Sequence, residues 1–98
     1  MATTIHVERL HNLGLDEAKV RGHKLLDRFA DKLSHLINDT TWNEDGTEGT
    51  AAGKLFSAHF TLTDDKVGVD VELRGLGAKF LKGQIETQVQ RSLEKWFT

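Results

Sequence analysis

Five histidines, at positions 6, 11, 23, 35 and 59, have the widest chemical reach of any residues in this chain. An imidazole can ligate a metal, carry a proton near neutral pH or activate a nucleophile. A zinc site on a helix needs two of them four residues apart, so that both face one ion. No pair has that spacing, and His23 and His35 fall about 120° apart around the helix that would carry them. His6 and His59 read as strand residues on a solvent-facing side and can meet only if their strands are neighbours. All five read as surface histidines, and no metal is expected. Ser57 shares a strand face with His59 but lacks the sharp strand-to-helix turn that presents a nucleophilic serine. The pairs Glu44-Asp45 and Asp64-Asp65 resemble paired catalytic carboxylates, yet acids in turns and loops are commonplace. Arg74–Gly83, RGLGAKFLKG, offers glycines and lysines at a helix start without the spacing of a phosphate loop or a dinucleotide fingerprint. The chain has no cysteine, hence no thiol nucleophile, disulfide or cysteine-based metal site. The expectation is no catalytic residue, no cofactor and no enzyme.

Any such residues would be positioned by a hairpin. From Lys54 to Arg74 the sequence reads KLFSAHFTLTDDKVGVDVELR. Phe56, Ala58, Phe60 and Leu62 alternate with Leu55, Ser57, His59 and Thr61. After an acidic turn, Val67, Val69, Val71 and Leu73 alternate with Gly68, Asp70, Glu72 and Arg74. Successive side chains of a strand point to opposite faces, so each run has one apolar side. Pairing Thr63 with Lys66 sets Leu62 on Val67, Phe60 on Val69, Ala58 on Val71 and Phe56 on Leu73, with His59 against Asp70 outside. A slip of one residue would oppose apolar to polar groups along the ladder.

The remaining elements must cover the apolar side. Thr3 to Leu10 alternates as a first strand, and His11-Asn12-Leu13-Gly14 is a turn. Asp16 and Glu17 suit the positive end of a helix dipole. From Leu15 the apolar or small residues at 15, 18, 22, 25, 26, 29, 33, 36 and 37 fit an arc of about 120°, one core-facing stripe. Lys24, Arg28, Asp31 and His35 lie behind it. Gly22 falls within the stripe, which fits either close contact with the sheet or mere tolerance. Asn38-Asp39 closes this helix, and Thr40 to Asn43 reads as a short second strand. Glu44 to Gly53, with three glycines and three acids, reads as a loop. After the hairpin, Gly75-Leu76-Gly77 turns into a last helix whose stripe is Ala78, Leu81, Ile85, Val89, Leu93 and Trp96. Phe97 falls off that stripe, and Phe80 does too if the helix already includes it; lying just before the first turn, it would instead tuck into the core. The order is β-α-β-β-β-α, an α+β two-layer sandwich with four mainly antiparallel strands and two helices on one face. Residues 1–98 are expected to form a single domain.

Composition agrees with a globule of ordinary kind. The chain is 38% apolar and 29% charged with a net charge of −2, so no strong pull toward nucleic acid or membrane is implied. No apolar run approaches the roughly 20 residues of a membrane span, and the opening residues lack the apolar core of a signal peptide. A cytoplasmic protein is expected.

Two stretches carry a resemblance. The opening TIHVERLHNLGLDEAKVRGHKLLDRFADKL combines an isoleucine-led strand, the His11-Asn12-Leu13-Gly14 turn and a charged, leucine-rich helix. The closing LRGLGAKFLKGQIETQVQRSLEKWF has a leucine and glycine ending the sheet, a phenylalanine, then apolar residues every fourth position. Together they resemble the bacterial polyhydroxyalkanoic acid system protein family over nearly the whole chain. The resemblance implies an accessory role in storage-polyester metabolism, with polyhydroxyalkanoate granules or granule proteins as partners. It brings no catalytic residues.

Two other readings stand beside it. Without its first strand the chain has the α-β-β-β-α order of a double-stranded-RNA-binding module, with Arg74, Lys79 and Lys82 near the last helix's start. Only these three basic residues cluster there and the chain is acidic, so counterion release would be small and nucleic acid is not the expected partner. The other reading is a binder of a small apolar ligand, its pocket lined by Phe56, Phe60, Val71, Ile85 and Trp96. The same residues equally make a closed core. Once the stripes are matched, Leu10, Leu13, Leu55, Leu76 and Phe97 lack partners. Leu55, Leu76 and Phe97 are the expected interaction surface. An open sheet face and free edges call for cover, so a homodimer is expected.

Overall fold

Alternating residues at the start of the chain form the strand β1, Ala2–Leu10, in a computed structural model that describes residues 2–75 and 77–97. The helix α1, Gly14–Lys32, carries Asp16 and Glu17 in its first turn and Lys32 in its last, each matched to the helix dipole. Two short strands follow, β2 at Asp39–Trp42 and β3 at Glu48–Ala52. The hairpin strands are β4, Phe56–Leu62, and β5, Lys66–Arg74, and α2 spans Ala78–Trp96. Among the described residues these strands make one antiparallel sheet in the order β1-β5-β4-β3-β2.

The hairpin register is the one that side-chain pairing dictates. Phe56 faces Leu73, Ala58 faces Val71, Phe60 faces Val69 and Leu62 faces Val67, with His59 opposite Asp70. Val71 and Val69 in turn face Ile5 and Val7 of β1. Both helices cross this apolar side, α2 over β1 and β5, α1 over β4 and β3. Leu25, Leu26 and Phe29 of α1 and Ile85, Val89 and Leu93 of α2 complete the core. Gly22 is a close-contact position: a Cβ there would stand 2.8 Å from Cδ1 of Leu62.

Several expectations are corrected. The sheet has five strands rather than four, because the expected loop Glu44 to Gly53 contains β3. Its alternation is real, with Gly49 and Ala51 inward, but residues so small leave no apolar signal. Helix α1 stops at Lys32 rather than Asn38-Asp39. Leu33 leaves helical geometry at φ −111° and ψ 32°, and Leu33 and Ile37 reach the core from the turns that follow. The two outlying phenylalanines are settled by where α2 begins and ends. Phe80 lies inside the first turn of α2, off its apolar stripe, and is 88% exposed. Phe97 is only 1% exposed, because α2 has ended before it. At φ −124° and ψ 37° its side chain leaves the helical arc and packs on His11, ring centroids 5.5 Å apart. His11 is consequently buried, the exception to the surface reading of the histidines.

Candidate functional site

Phe56, Phe60, Val71 and Ile85, four of the five residues suggested for an apolar pocket, are core side chains at 2% exposure or less. Trp96 is half-buried and packs against the core. The helix stripes meet the hairpin directly, which is the closed-core alternative. Of the suggested interaction surface, Leu55 is 51% exposed, Phe97 is buried and Leu76 lies outside the described residues. Leu10 is also exposed, whereas Leu13 packs against the core. The Leu55 side chain lies beside Gly75, and the Phe80 backbone N–H donates to the carbonyl of Gly77.

The open face of the sheet gathers most of the remaining chemistry. Register places His6, Asp70, His59 and Thr50 in one row across four strands. His6 donates from Nδ1 to Asp70 Oδ1 at 2.5 Å and from Nε2 to Glu8 Oε1 at 2.7 Å. A carboxylate at each ring nitrogen favours the protonated imidazole. The Asp70 hydrogen bond, then that of Glu8, raises its pKa above the ordinary value. His6 and, next, Lys66 hold the Glu8 carboxyl below its usual range. Nε2 of His59 lies 3.1 Å from Glu48 Oε1, so that histidine is engaged with an acid rather than with Ser57. A hollow of about 420 Å³ lies over this row. Its charged groups are answered by their own neighbours, and among the described residues no three His, Asp or Glu side chains gather to hold a metal.

The helix side differs. A groove of about 620 Å³ runs between α1 and α2. Arg28 and Lys32 line it from α1, Arg91 and Lys95 from α2, with Gln84, Thr87, Gln88 and Ser92 between them and Phe29 and Trp96 as its aromatic part. The described lining contains no carboxylate, and no described acid lies within ion-pair distance of its four cations. Arg21, which also pairs with Glu17, donates from Nη1 to the Trp96 carbonyl at 3.1 Å and ties the helices at that end. The charge is segregated accordingly. The two helices hold nine basic and six acidic residues, and the rest of the chain four and nine.

Sequence reasoning passed over this groove. Arg28 was placed on the solvent side of its helix, and the others were not singled out. The available signal was two like-charged pairs at i, i+4 spacing, Arg28 with Lys32 and Arg91 with Lys95, each beside an apolar stripe. The cluster expected from the RNA-binding reading is divided. Arg74 is held by Glu72 at 2.5 Å and reaches the Gly53 carbonyl at 3.4 Å, while Lys79 and Lys82 stand exposed on α2. Among the described residues no helix is long and apolar enough to cross a membrane.

A family model described as "Putative polyhydroxyalkanoic acid system protein" matches residues 5–97. No curated protein and no solved structure matches the chain.

Proposed function

Because the chain belongs to the polyhydroxyalkanoic acid system protein family, we propose that it is a non-enzymatic, cytoplasmic accessory protein of polyhydroxyalkanoate metabolism that binds the granule surface. The family match supplies the setting. The observation that carries a binding role is the exposure of two large apolar side chains, Leu55 and Phe80. A phenylalanine 88% in water and a half-exposed leucine each suit a neutral, apolar polyester surface, which would remove apolar area from solvent. Co-sedimentation with isolated granules tests this. The wild-type protein is expected in the pellet, and Leu55→Lys and Phe80→Lys in the supernatant. A wild type that stays in the supernatant, or variants that pellet equally well, would refute the reading.

Self-association belongs to the same proposal. The open face of the sheet carries charged groups already paired with one another, so stacking two such faces would take those pairs out of water. The outer edge of β1 is a better seam. Nine residues long, it has no neighbour among the described strands, and two copies could pair there about a two-fold axis. Light scattering at micromolar concentration should give a dimer mass. A monomer mass that persists on concentration would exclude the pairing.

A further inference from the structure

We infer that the groove between α1 and α2 binds a nucleotide-class ligand, a small molecule that joins a chain of phosphates to a planar ring. Arg28 and Lys32 stand one turn apart on α1, Arg91 and Lys95 one turn apart on α2, and both pairs line the groove. Like charges at this spacing oppose helix formation, and two such pairs across a groove repel each other as well. A surface built only for solubility would intersperse acids among them, as the sheet face does. In the groove, no described carboxylate supplies that compensation. A ligand with several closely spaced negative charges would, and arginine's fork suits phosphate oxygens.

The remaining lining narrows the ligand. Trp96 is half-buried on the wall, with Lys95 Nζ 5.8 Å from its ring centroid, and indole and cation together make a seat for a flat heterocycle. At about 620 Å³ the groove falls within the size range of small-molecule sites. The link between Arg21 and the Trp96 carbonyl spans the helices at the Trp96 end. A threaded nucleic-acid strand would need both ends open, whereas a small ligand needs only one.

Calorimetry on the unmodified chain at low salt, with ATP, tripolyphosphate and adenosine as probes, tests the assignment. The chain has two tryptophans, so Trp42→Phe leaves Trp96 as the fluorescent reporter, and calorimetry gives the same test should that variant fail to fold. ATP should bind saturably and quench Trp96, tripolyphosphate more weakly, adenosine least. Raised salt should weaken the binding. Arg28→Glu and Arg91→Glu should each cost roughly tenfold or more in ATP affinity. Their melting temperatures should hold or rise, since each relieves a like-charged pair. No heat and no quenching with ATP, equal affinity for ATP and tripolyphosphate, or unchanged affinity in both variants would each overturn the proposal. So would binding of a single-stranded oligonucleotide in the absence of ATP binding.

Discussion

Two antiparallel ladders share this sheet and are held by opposite means. Between β4 and β5 every inward pair is filled, from Phe56 on Leu73 to Leu62 on Val67, all buried under the helices. Between β2 and β3 the inward positions of β3 are Gly49 and Ala51, and the volume over them comes from one large β2 residue, Trp42, opposite Gly49, and from elements outside the ladder. The Trp42 ring lies across Gly49, with atoms 2.8 Å from where a Cβ would stand, and stacks on His23 of α1 with centroids 3.9 Å apart. Beside the ladder, the turn after α1 comes so close to Gly53 that a Cβ would sit 1.7 Å from the Leu36 carbonyl oxygen. One ladder is built from side-chain volume. The other is built from its absence, with neighbouring elements closing in over the backbone.

The largest effect should come from emptying the filled ladder. Phe60 is 1% exposed and meets Phe29 edge-on with centroids 5.9 Å apart. Phe60→Ala should cost about 3–5 kcal/mol, a large part of a small domain's stability. Urea unfolding measures it, and a loss comparable with that of an exposed substitution would show that the ladder is not packed as described.

The converse substitution tests the other ladder. Gly53→Ala adds one methyl where a backbone oxygen already stands, and a backbone cannot swing aside as a side-chain end can. Moving the turn after α1 should cost about 1–3 kcal/mol. Gly22→Ala provides the contrast. There the obstacle is the tip of the Leu62 side chain, and alanine's better helix propensity, worth up to ~1 kcal/mol, offsets its displacement. An equal loss at both glycines would remove the distinction between backbone and side-chain obstacles.

The difference between the ladders also explains what was legible in the sequence. Alternation of Phe, Val and Leu with polar residues is a statement about volume, and it located β4, β5 and their register. A strand whose inward residues are glycine and alanine makes no such statement, so β3 passed for a loop. Phe97 was misplaced, and Phe80 left between two positions, for a related reason. Their positions depend on the residue at which α2 starts and stops, and the periodicity of the apolar stripe does not mark those ends. The cationic groove lay further out of reach. Arg28, Lys32, Arg91 and Lys95 become one site only when two helices 46 residues apart in the chain are set side by side on the sheet. The exposure of Leu55 was legible, since the alternation of β4 carried one residue back sets it on the outer side.

A double-mutant cycle probes the bare ladder more finely. Gly49→Ala should be costly while the Trp42 ring lies over it and cheaper once Trp42→Ala has removed the ring. A coupling of about 1 kcal/mol is expected from such a contact. Independent effects would mean that Trp42 does not hold Gly49 in place.

The smallest effect concerns the outer faces, where the contrast continues. Over β1, β5 and β4 the outward row is made of ionisable side chains, His6, Asp70 and His59, whereas over β3 and β2 it runs into Thr50 and Thr41. A titration should therefore be felt at the first end of the row. The folded protein keeps the His6 proton to a higher pH than the unfolded chain, whose imidazole titrates near about 6.5. Between these two values the native state holds more protons, so stability falls as pH rises. The contribution is complete below the unfolded value and gone above the folded one. Glu8 acts in the opposite sense. Its folded pKa is depressed, so its contribution is present above the ordinary carboxylate value and is lost as pH falls through the depressed one. Both interactions operate together only in the window between. The effect is small, because these side chains are about half exposed and salt screens them. Melting temperature in low salt should decline from about pH 6 to 8 in the wild type and flatten in His6→Gln. The His6 ring signals in an NMR titration should turn over above the ordinary midpoint. Asp70→Asn should lower that midpoint more than Glu8→Gln does, since the Asp70 hydrogen bond is the larger cause. A midpoint at or below about 6.5 would show that the row of paired charges does not persist in solution.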